Sequence, residues 1–369
     1  MLHSREIGSR YIMPYRTLGA QAVFTRSILV DGQLLKITET LSSALRGLRD
    51  RPPEHYRHDS DDNVSQTRSL QHVQLWADAI CINQEDRKEK SLQVAMMARI
   101  YSMAAGTEVW LGDAVASDTL AFWMIRCAYD YEPIRLRRSV ARDGFMQHYE
   151  HCYQTHRHDI REYIELHDLQ NRDTLEKACF RAIAKISQRE SFQRLWVVQE
   201  LAVSEIAWVS CGHHTIHYND WEHFIDAYHN QGDIWMNPTV VAEESYPEAS
   251  KIFWRMEDIT RYESGGRTTP ADSLIDVWSD ISGSRFTDER DIVYAIREFL
   301  FPEPREDLLP DYDISLQRLW QDVAMFLLDA LKEGDSRAVL PYRLYCILAI
   351  PAVQVQARRF SIYPPGCLT

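Results

Sequence analysis

The hydrophobic pattern of the first fifty residues predicts a β-hairpin followed by a helix. In VFTRSILVDGQLLKIT, two apolar runs flank Asp31 and Gly32, a pair that two-residue hairpin turns favour. The next segment, TETLSSALRGLRD, has apolar residues at helical spacing and offers Thr38 or Thr40 as the N-cap. Its predicted buried face carries Leu41, Ala44, Leu45 and Leu48.

The clearest pattern predicts a βαβ unit at residues 73–113. VQLWADAI is apolar on both faces, which is typical of a central strand in a parallel sheet. A helix is predicted to follow with Asn83 as its N-cap, and EVWLG is the next strand. The predicted buried stripe of that helix contains Leu92, Met96, Ile100 and Met103. Because such crossovers are right-handed, residues 81–84 and 112–113 are expected to meet at the carboxyl edge of the sheet.

The remaining patterns predict mostly helices. Residues 117–190 are helical in pattern, SFQRLWVVQELAV is predicted as one helix, and EIAWVSCG as a further strand. After residue 230 the pattern is mainly helical, as in ISLQRLWQDVAMFLLDAL. We therefore predict an α/β core at residues 11–230, with a parallel sheet flanked by helices. A helical C-terminal region at residues 231–369 is predicted to pack on this core.

Composition and charge restrict the partners. Hydrophobic residues are 45% and charged residues 26% of the 369 positions, as in ordinary globular proteins. The formal net charge of −13 opposes binding to nucleic acid, which depends on Lys and Arg neutralising phosphates. No apolar run approaches the roughly 20 residues that cross a bilayer. Neither a nucleic-acid nor a membrane partner is expected.

The cysteines predict a reducing environment. The chain has seven Cys, an odd number, and its first residues, MLHSREIGSR, lack the apolar stretch of a secretory leader. Free thiols in the cytoplasm are therefore expected.

Three blocks of sequence carry a family resemblance. LWADAICINQEDRKEKSLQVAMMARIYSMAAGTEVWLGD closely resembles the central signature of the fungal heterokaryon-incompatibility (HET) domain. RLWVVQELAVSEIAWVSCGHHTIHYNDW resembles the second block of that family, and DERDIVYAIREF with LPDYDISLQRLW resembles its downstream segments. One block departs from the family, because YRTLGAQAVFTRSILVDG replaces the usual Tyr…Leu-Ser-Tyr-x-Trp-Gly opening. Part of a pocket wall is therefore expected to be missing or rebuilt.

The resemblance implies a fold and an activity. HET domains look like distant relatives of Toll/interleukin-1 receptor (TIR) domains, which have a flavodoxin-like parallel sheet. Some TIR members cleave the nicotinamide–ribose bond of NAD with a Glu in a Trp-x-x-x-Glu pattern, and Trp196 and Glu200 stand in that arrangement here. If NAD is the substrate, it is expected above residues 78–84, with Glu200 acting on its ribose.

Glu200 is the first candidate catalytic residue. Gln193 is predicted to lie on nearly the same line of the helix as Glu200, and the rest of the circumference is apolar. Burial of the carboxylate would raise its pKa, as suits a general base or a group that stabilises an oxocarbenium-like centre. A structural salt bridge, to Arg194 or to an Arg of the helical region, is the alternative.

The end of the first strand of the βαβ unit supplies the other candidates. Burying the Asp78 carboxylate without a partner would cost several kcal/mol of folding free energy. Its side chain is therefore expected either to accept hydrogen bonds from loop amides or to face a ligand. Cys81 lies beside a helix N-terminus, where a thiolate is favoured, although small buried Cys are common. Asn83 and Gln84 suit a helix start and also the binding of a sugar or carboxamide. Asp113 ends the neighbouring strand at the same edge.

No metal site is predicted. HYEHCYQTHRHD and CGHHTIH are rich in His, but neither has the Cys-x-x-Cys or His-Glu-x-x-His spacing that fixes a metal. Solvated His side chains are the simpler interpretation.

Three functions remain open. The first is a HET protein of fungal non-self recognition and cell death, with NAD cleavage as its possible chemistry. The second is a HET-fold enzyme of secondary metabolism that cyclises or dehydrates a small hydrophobic substrate by acid/base catalysis. The third is a non-catalytic module that signals by self-association. A small-molecule ligand or a second copy of the chain is accordingly the expected partner.

Overall fold

The computed structural model of the protein describes residues 10–13, 24–50, 74–130, 142–230, 281, 284–297 and 308–333. The first half of these residues contains five strands and four helices: β1 (Arg10–Met13), β2 (Arg26–Val30), β3 (Gln33–Ile37), α1 (Glu39–Arg49), β4 (Gln74–Ala77), α2 (Asp78–Cys81), α3 (Arg87–Ser102), β5 (Gly106–Trp110) and α4 (Asp118–Tyr129). The predicted α/β class is confirmed.

Helices then dominate the described residues, with one short hairpin among them. The elements are α5 (Arg142–His156), a 3₁₀ turn (Arg157–Asp159), α6 (Arg161–Leu166), α7 (Arg172–Ser187), α8 (Glu190–Gln193), α9 (Leu195–Ala202), β6 (Ala207–Cys211), β7 (His214–His217), α10 (Tyr218–Asn230), α11 (Asp291–Tyr294) and α12 (Leu316–Glu333). Outside the described residues lie residues 15–23 of the block that departs from the family, and the segments 231–280 and 334–369, so the predicted domain boundary at 230/231 falls at the edge of the described part.

The main sheet has the order β4-β1-β5-β6-β7. The first four strands are parallel, with Met13 opposite Ala77 and Val109 opposite Val209, whereas β7 pairs antiparallel with β6. Every residue of β5 and β6 is buried, as expected for strands covered on both faces. A parallel sheet flanked by helices is therefore present.

The prediction that β4 is a central strand is wrong. Among the described strands β4 lies at the edge of the sheet, and Leu75 is 39% exposed. The strand β1 occupies the place between β4 and β5, so the two strands of the predicted βαβ unit are not neighbours. An edge strand can also be apolar on both faces, so the hydrophobic pattern of residues 73–80 does not distinguish an edge strand from a central one.

The predicted hairpin and first helix are confirmed. Strands β2 and β3 pair antiparallel around Asp31 (φ 48°) and Gly32 (φ 79°), the two positive φ angles of a type I′ turn. The Thr38 side chain caps α1 by accepting the N–H of Leu41.

The predicted buried stripe of α3 is wrong. The buried residues are Lys90, Val94, Met97 and Tyr101, whereas Leu92 is 68% exposed and Met96 and Met103 are also exposed. Both stripes are largely apolar, and the tertiary partners decide between them: Tyr101 packs edge-on against Trp76 in the core. The N-cap is Asp86, which accepts the N–H groups of Lys88 and Glu89, and not Asn83.

Two large cores hold the described residues together. One joins β5 and β6 to α4, α7 and α10. The other joins α3 and α9 to the downstream chain through Val94, Trp196, Ile292, Tyr312 and Leu319. The C-terminal segments that are described thus share a core with the helix that carries Glu200.

Candidate functional site

Asp78 is placed by the end of β4. The strand stops at Ala77, one residue before the acid, and Asp78 begins the short helix α2 instead of lying within the strand as predicted. The side chain is buried, accepts the N–H of Ala79 at 2.7 Å, and lies 3.9 Å from the guanidinium of Arg194. Asp78 thus has the partners that a buried carboxylate requires.

Arg194 reaches Asp78 because the predicted single helix is broken. Residue 194 is extended (ψ 135°) and separates α8 from α9. The main chain of Arg285 holds this break, donating to the Gln193 carbonyl and accepting from Leu195 N–H. The prediction that Gln193 lies in line with Glu200 is therefore wrong, and the Gln193 amide instead donates to the Gln188 carbonyl.

Glu200 lies on α9 one turn after Trp196 and is 0% exposed. Burial raises the pKa of its carboxyl to about 8, opposed by Arg194 and by the Tyr101 hydroxyl and increased further by Asp78. Within the described residues, neither carboxyl oxygen of Glu200 has a partner in hydrogen-bonding geometry. At neutral pH the buried carboxyl is therefore mostly protonated.

One buried cluster, which we call the Arg194 cluster, contains Asp78, Tyr101, Arg194 and Glu200. Burial, followed by the charges of Glu200 and Asp78, raises the pKa of the Tyr101 hydroxyl well above its usual range. One guanidinium balances one carboxylate, and since the second acid keeps its proton, the cluster can be neutral overall. The two predicted catalytic acids are thus brought together, as is the structural partner Arg194.

The hollow beside the Arg194 cluster is small. It has a volume of about 20 Å³ and is lined by Asp78, Gln84, Lys90, Trp196 and Tyr312, together with three apolar side chains. The Lys90 ammonium lies 3.6 Å from the centre of the Tyr312 ring, so the downstream chain forms part of the wall of this hollow. Its volume suits about one water molecule, whereas ligand pockets measure roughly 300–1,000 Å³.

The other predicted residues near α2 serve local structure. Gln84 donates to the Asp78 carbonyl, and Asn83 accepts the N–H of Glu85 in the turn before α3. Cys81 is exposed at the last residue of α2, and partial burial raises the pKa of its thiol. The expectation of a favoured thiolate is wrong, because Cys81 lies at the wrong end of a short helix.

Asp113 also has structural partners. Its carboxylate accepts a hydrogen bond from the Ser43 hydroxyl, and its carbonyl accepts one from Arg189. Arg189 further donates to the Leu111 carbonyl and pairs at 2.7 Å with the buried Asp118. These contacts of Arg189 link the end of β5 to the start of α4. No sequence pattern predicts them, because residues 118 and 189 are far apart in the chain.

A larger cavity lies elsewhere, between α4, the 3₁₀ turn and the β6–β7 turn. It measures about 500 Å³ and is lined by aromatic, charged and thiol groups: Phe122, Trp123, Arg126, Cys127, Asp159 and His214. His214 is buried, and its Nε2 atom shares a hydrogen bond of 3.2 Å with the Thr119 hydroxyl. Burial lowers the pKa of its imidazole to about 4. The interpretation as a solvated His is wrong at this position. Among the described residues no set of three side chains has the arrangement of a metal site.

Comparison with known proteins identifies the family. The family model described as Heterokaryon incompatibility protein (HET) matches residues 13–200, from the last residue of β1 to Glu200. The chain belongs to the heterokaryon-incompatibility family. The HET match covers just over half of the chain and includes all four members of the Arg194 cluster.

This HET protein is also similar to a fungal protein named for heterokaryon incompatibility. Heterokaryon incompatibility protein 6, OR allele, of Neurospora crassa is 30% identical over 192 residues, which are 49% of this chain and 25% of the relative. The chain thus matches about a quarter of the length of that relative. No solved structure matched the chain. None of the helices in the described residues has the length and hydrophobicity needed to cross a membrane.

Proposed function

We propose that this HET protein is a cytoplasmic module of fungal non-self recognition that triggers cell death by assembling with partner chains. The name of the Neurospora relative supports the biological role. The observation that carries the proposal is the enclosure of Glu200: the elements within the HET match meet at a buried cluster beside a hollow of about 20 Å³ instead of an open substrate pocket. Such a cluster suits a structural role for the acid and signalling by contact.

Inducible expression of the chain in Neurospora crassa hyphae tests this proposal. The expected result is growth arrest and uptake of a vital dye by the wild-type chain, and equally by Glu200→Gln, because the carboxyl is already mostly neutral at pH 7. Light scattering of the purified chain should show assembly that increases with concentration. Absence of toxicity together with a monomer at all concentrations would contradict the proposal.

NAD cleavage is the second candidate, and the raised pKa of Glu200 favours it. Acid/base catalysts often have a desolvated carboxyl with a raised pKa, and the Glu200 carboxyl, with a pKa of about 8, is such a group beside a tyrosine and an arginine. In this conformation Tyr312 and Trp196 would have to move before a dinucleotide could reach the acid. NAD cleavage therefore requires a second, open conformation.

Release of nicotinamide from NAD separates the two candidates. Cleavage predicts release by the wild-type chain and by Glu85→Gln, an exposed control, and none by Glu200→Gln. Loss of toxicity in Glu200→Gln with an unchanged melting temperature would then replace the first proposal by the second. The third alternative, acid/base synthesis of a metabolite, needs a substrate space at the same edge, which a hollow of about 20 Å³ does not supply.

A further inference from the structure

Two buried cysteines and a histidine meet where α5 packs on α4. Cys127 lies near the end of α4 and Cys152 lies on α5, and both are buried. The His148 Nε2 atom is 2.7 Å from the Cys127 carbonyl oxygen and 3.2 Å from the Cys152 sulfur, which itself lies 3.9 Å from the same carbonyl. The cluster lies outside the Arg194 cluster and has no part in the proposed function.

The geometry defines the role of the imidazole. A carbonyl oxygen only accepts, so Nε2 of His148 carries the proton that binds it. The same N–H group faces the Cys152 sulfur and is placed to stabilise a thiolate there. His148 is therefore a positioning residue for Cys152.

The two thiols act on each other. The interaction between the two thiols lowers the pKa of Cys152 and raises the pKa of Cys127 far above its usual value. One sulfur is thus prepared as the nucleophile and the other keeps its proton. By contrast, burial raises the pKa of both Cys179 and Cys211, and neither has a described thiol as a hydrogen-bond partner.

Small oxidants have a route to the pair. Cys127 lines the cavity of about 500 Å³, although most of its surface is buried. A peroxide molecule is far smaller than this cavity. The cavity therefore gives access to Cys127 without unfolding of α4 or α5, and the Cys152 sulfur lies 3.9 Å from the carbonyl oxygen of that residue.

We propose that Cys127 and Cys152 form a reversible disulfide when hydrogen peroxide enters this cavity. The Cys152 thiolate attacks one peroxide oxygen, the O–O bond breaks, and the departing hydroxide takes up a proton to become water. The Cys127 sulfur then attacks the resulting sulfenic acid, and its proton leaves with the hydroxyl as a second water. Two thiols lose two electrons and one peroxide gains them, so the step is balanced.

The disulfide would join two helices that are otherwise held by packing. It would close a loop from residue 127 to residue 152, which includes segment 131–141 outside the described residues. Cross-links of this kind restrict the unfolded chain and raise stability when the native geometry accommodates them. The oxidised protein is expected to melt at a higher temperature than the reduced protein.

Peptide mapping of the full chain tests the proposal. The Cys81→Ser protein, which lacks the one exposed thiol among the described cysteines, is reduced, treated with hydrogen peroxide, alkylated in denaturant and digested. The expected product is one dithiothreitol-sensitive link between the peptides of Cys127 and Cys152, in a monomeric band, with Cys179 and Cys211 alkylated. His148→Leu should form the same link about tenfold more slowly, since the thiolate loses its N–H donor.

Matched variants complete the test. Cys127→Ser and Cys152→Ser should each abolish the link, whereas Cys179→Ser should leave its rate unchanged. Recovery of both thiols fully alkylated after peroxide treatment, or links of either one to other cysteines, would overturn the proposal. The map of the Cys81→Ser protein decides the question even if one of the further serine variants fails to fold.

Discussion

At the scale of single residues, two buried acids, Asp78 and Glu200, lie near one guanidinium, that of Arg194. Asp78 and Glu200 were expected to be buried, and both are. The requirement for partners at Asp78 follows from the cost of burying a charge, so it was predictable from the strand-like pattern alone. The part played by Tyr101 was not predictable, because two apolar stripes of α3 competed and only tertiary packing selects the one that contains it.

We predict that Glu200 makes stability fall as pH rises. Its folded pKa of about 8 lies above the unfolded value near 4.3, so the folded state binds more protons between these values. The stabilisation is fully present below the unfolded pKa and is lost as pH rises through about 8. Relative to Glu200→Gln, the free energy of unfolding of the wild type should fall by a few kcal/mol, on the order of one per pH unit.

Urea unfolding of both proteins at pH 5 to 8.5 measures this difference. Glu85→Gln is the control, because Glu85 is exposed and should follow the wild type at every pH. Parallel pH profiles for the wild type and Glu200→Gln would show that the carboxyl is already ionised in the folded protein.

At the scale of elements, local signals predicted the hairpin, the cap of α1 and most helices. These features depend on neighbours in sequence: the Asp31–Gly32 turn and the Thr38 cap each involve only a few residues. The break between α8 and α9 could not be predicted in the same way. It is held by the main chain of Arg285, about ninety positions later, and residues 190–202 alone have the pattern of a continuous helix.

We predict that Gly47→Ala destabilises the protein although alanine favours helices. A Cβ atom at residue 47 would collide with the indole ring of Trp110, which is fully buried between α1 and the sheet. Overpacking of this kind costs about 1–3 kcal/mol, more than the roughly 1 kcal/mol that a helix gains from replacing Gly by Ala.

Thermal and urea unfolding provide the measurement for residue 47. The double variant Gly47→Ala with Trp110→Phe should recover part of the loss, because the smaller ring vacates the space that the new methyl group needs. A gain in stability from Gly47→Ala alone would mean that α1 does not pack closely on Trp110.

At the scale of the whole molecule, residues beyond the end of the family match pack into the same core as residues within it. The family match stops at residue 200, yet α3 and α9 share a core with Ile292, Tyr312 and Leu319. The order and type of the blocks were visible in the sequence, whereas their mutual contacts depend on side chains hundreds of positions apart. Tyr312, whose hydroxyl donates a hydrogen bond to Asp291 and whose side chain lines the hollow at Asp78, is one such case.

We predict that a chain truncated after residue 230 does not fold cooperatively. It lacks the Arg285 main chain at the helix break and about half of the core around α9. The truncated chain should bind a hydrophobic dye and unfold over a broad range, as loosely packed states do. Addition of residues 231–369 as a separate fragment should restore a sharper transition, and a sharp wild-type melt without the fragment would contradict this expectation.

The bridge between residues 194 and 285 has a practical consequence for the evolution of this chain. An insertion or deletion in the downstream half would alter the direction of a buried guanidinium in the upstream half without touching any signature residue. Divergence outside the recognisable motif is therefore a route by which related chains can change the protonation of the same glutamate.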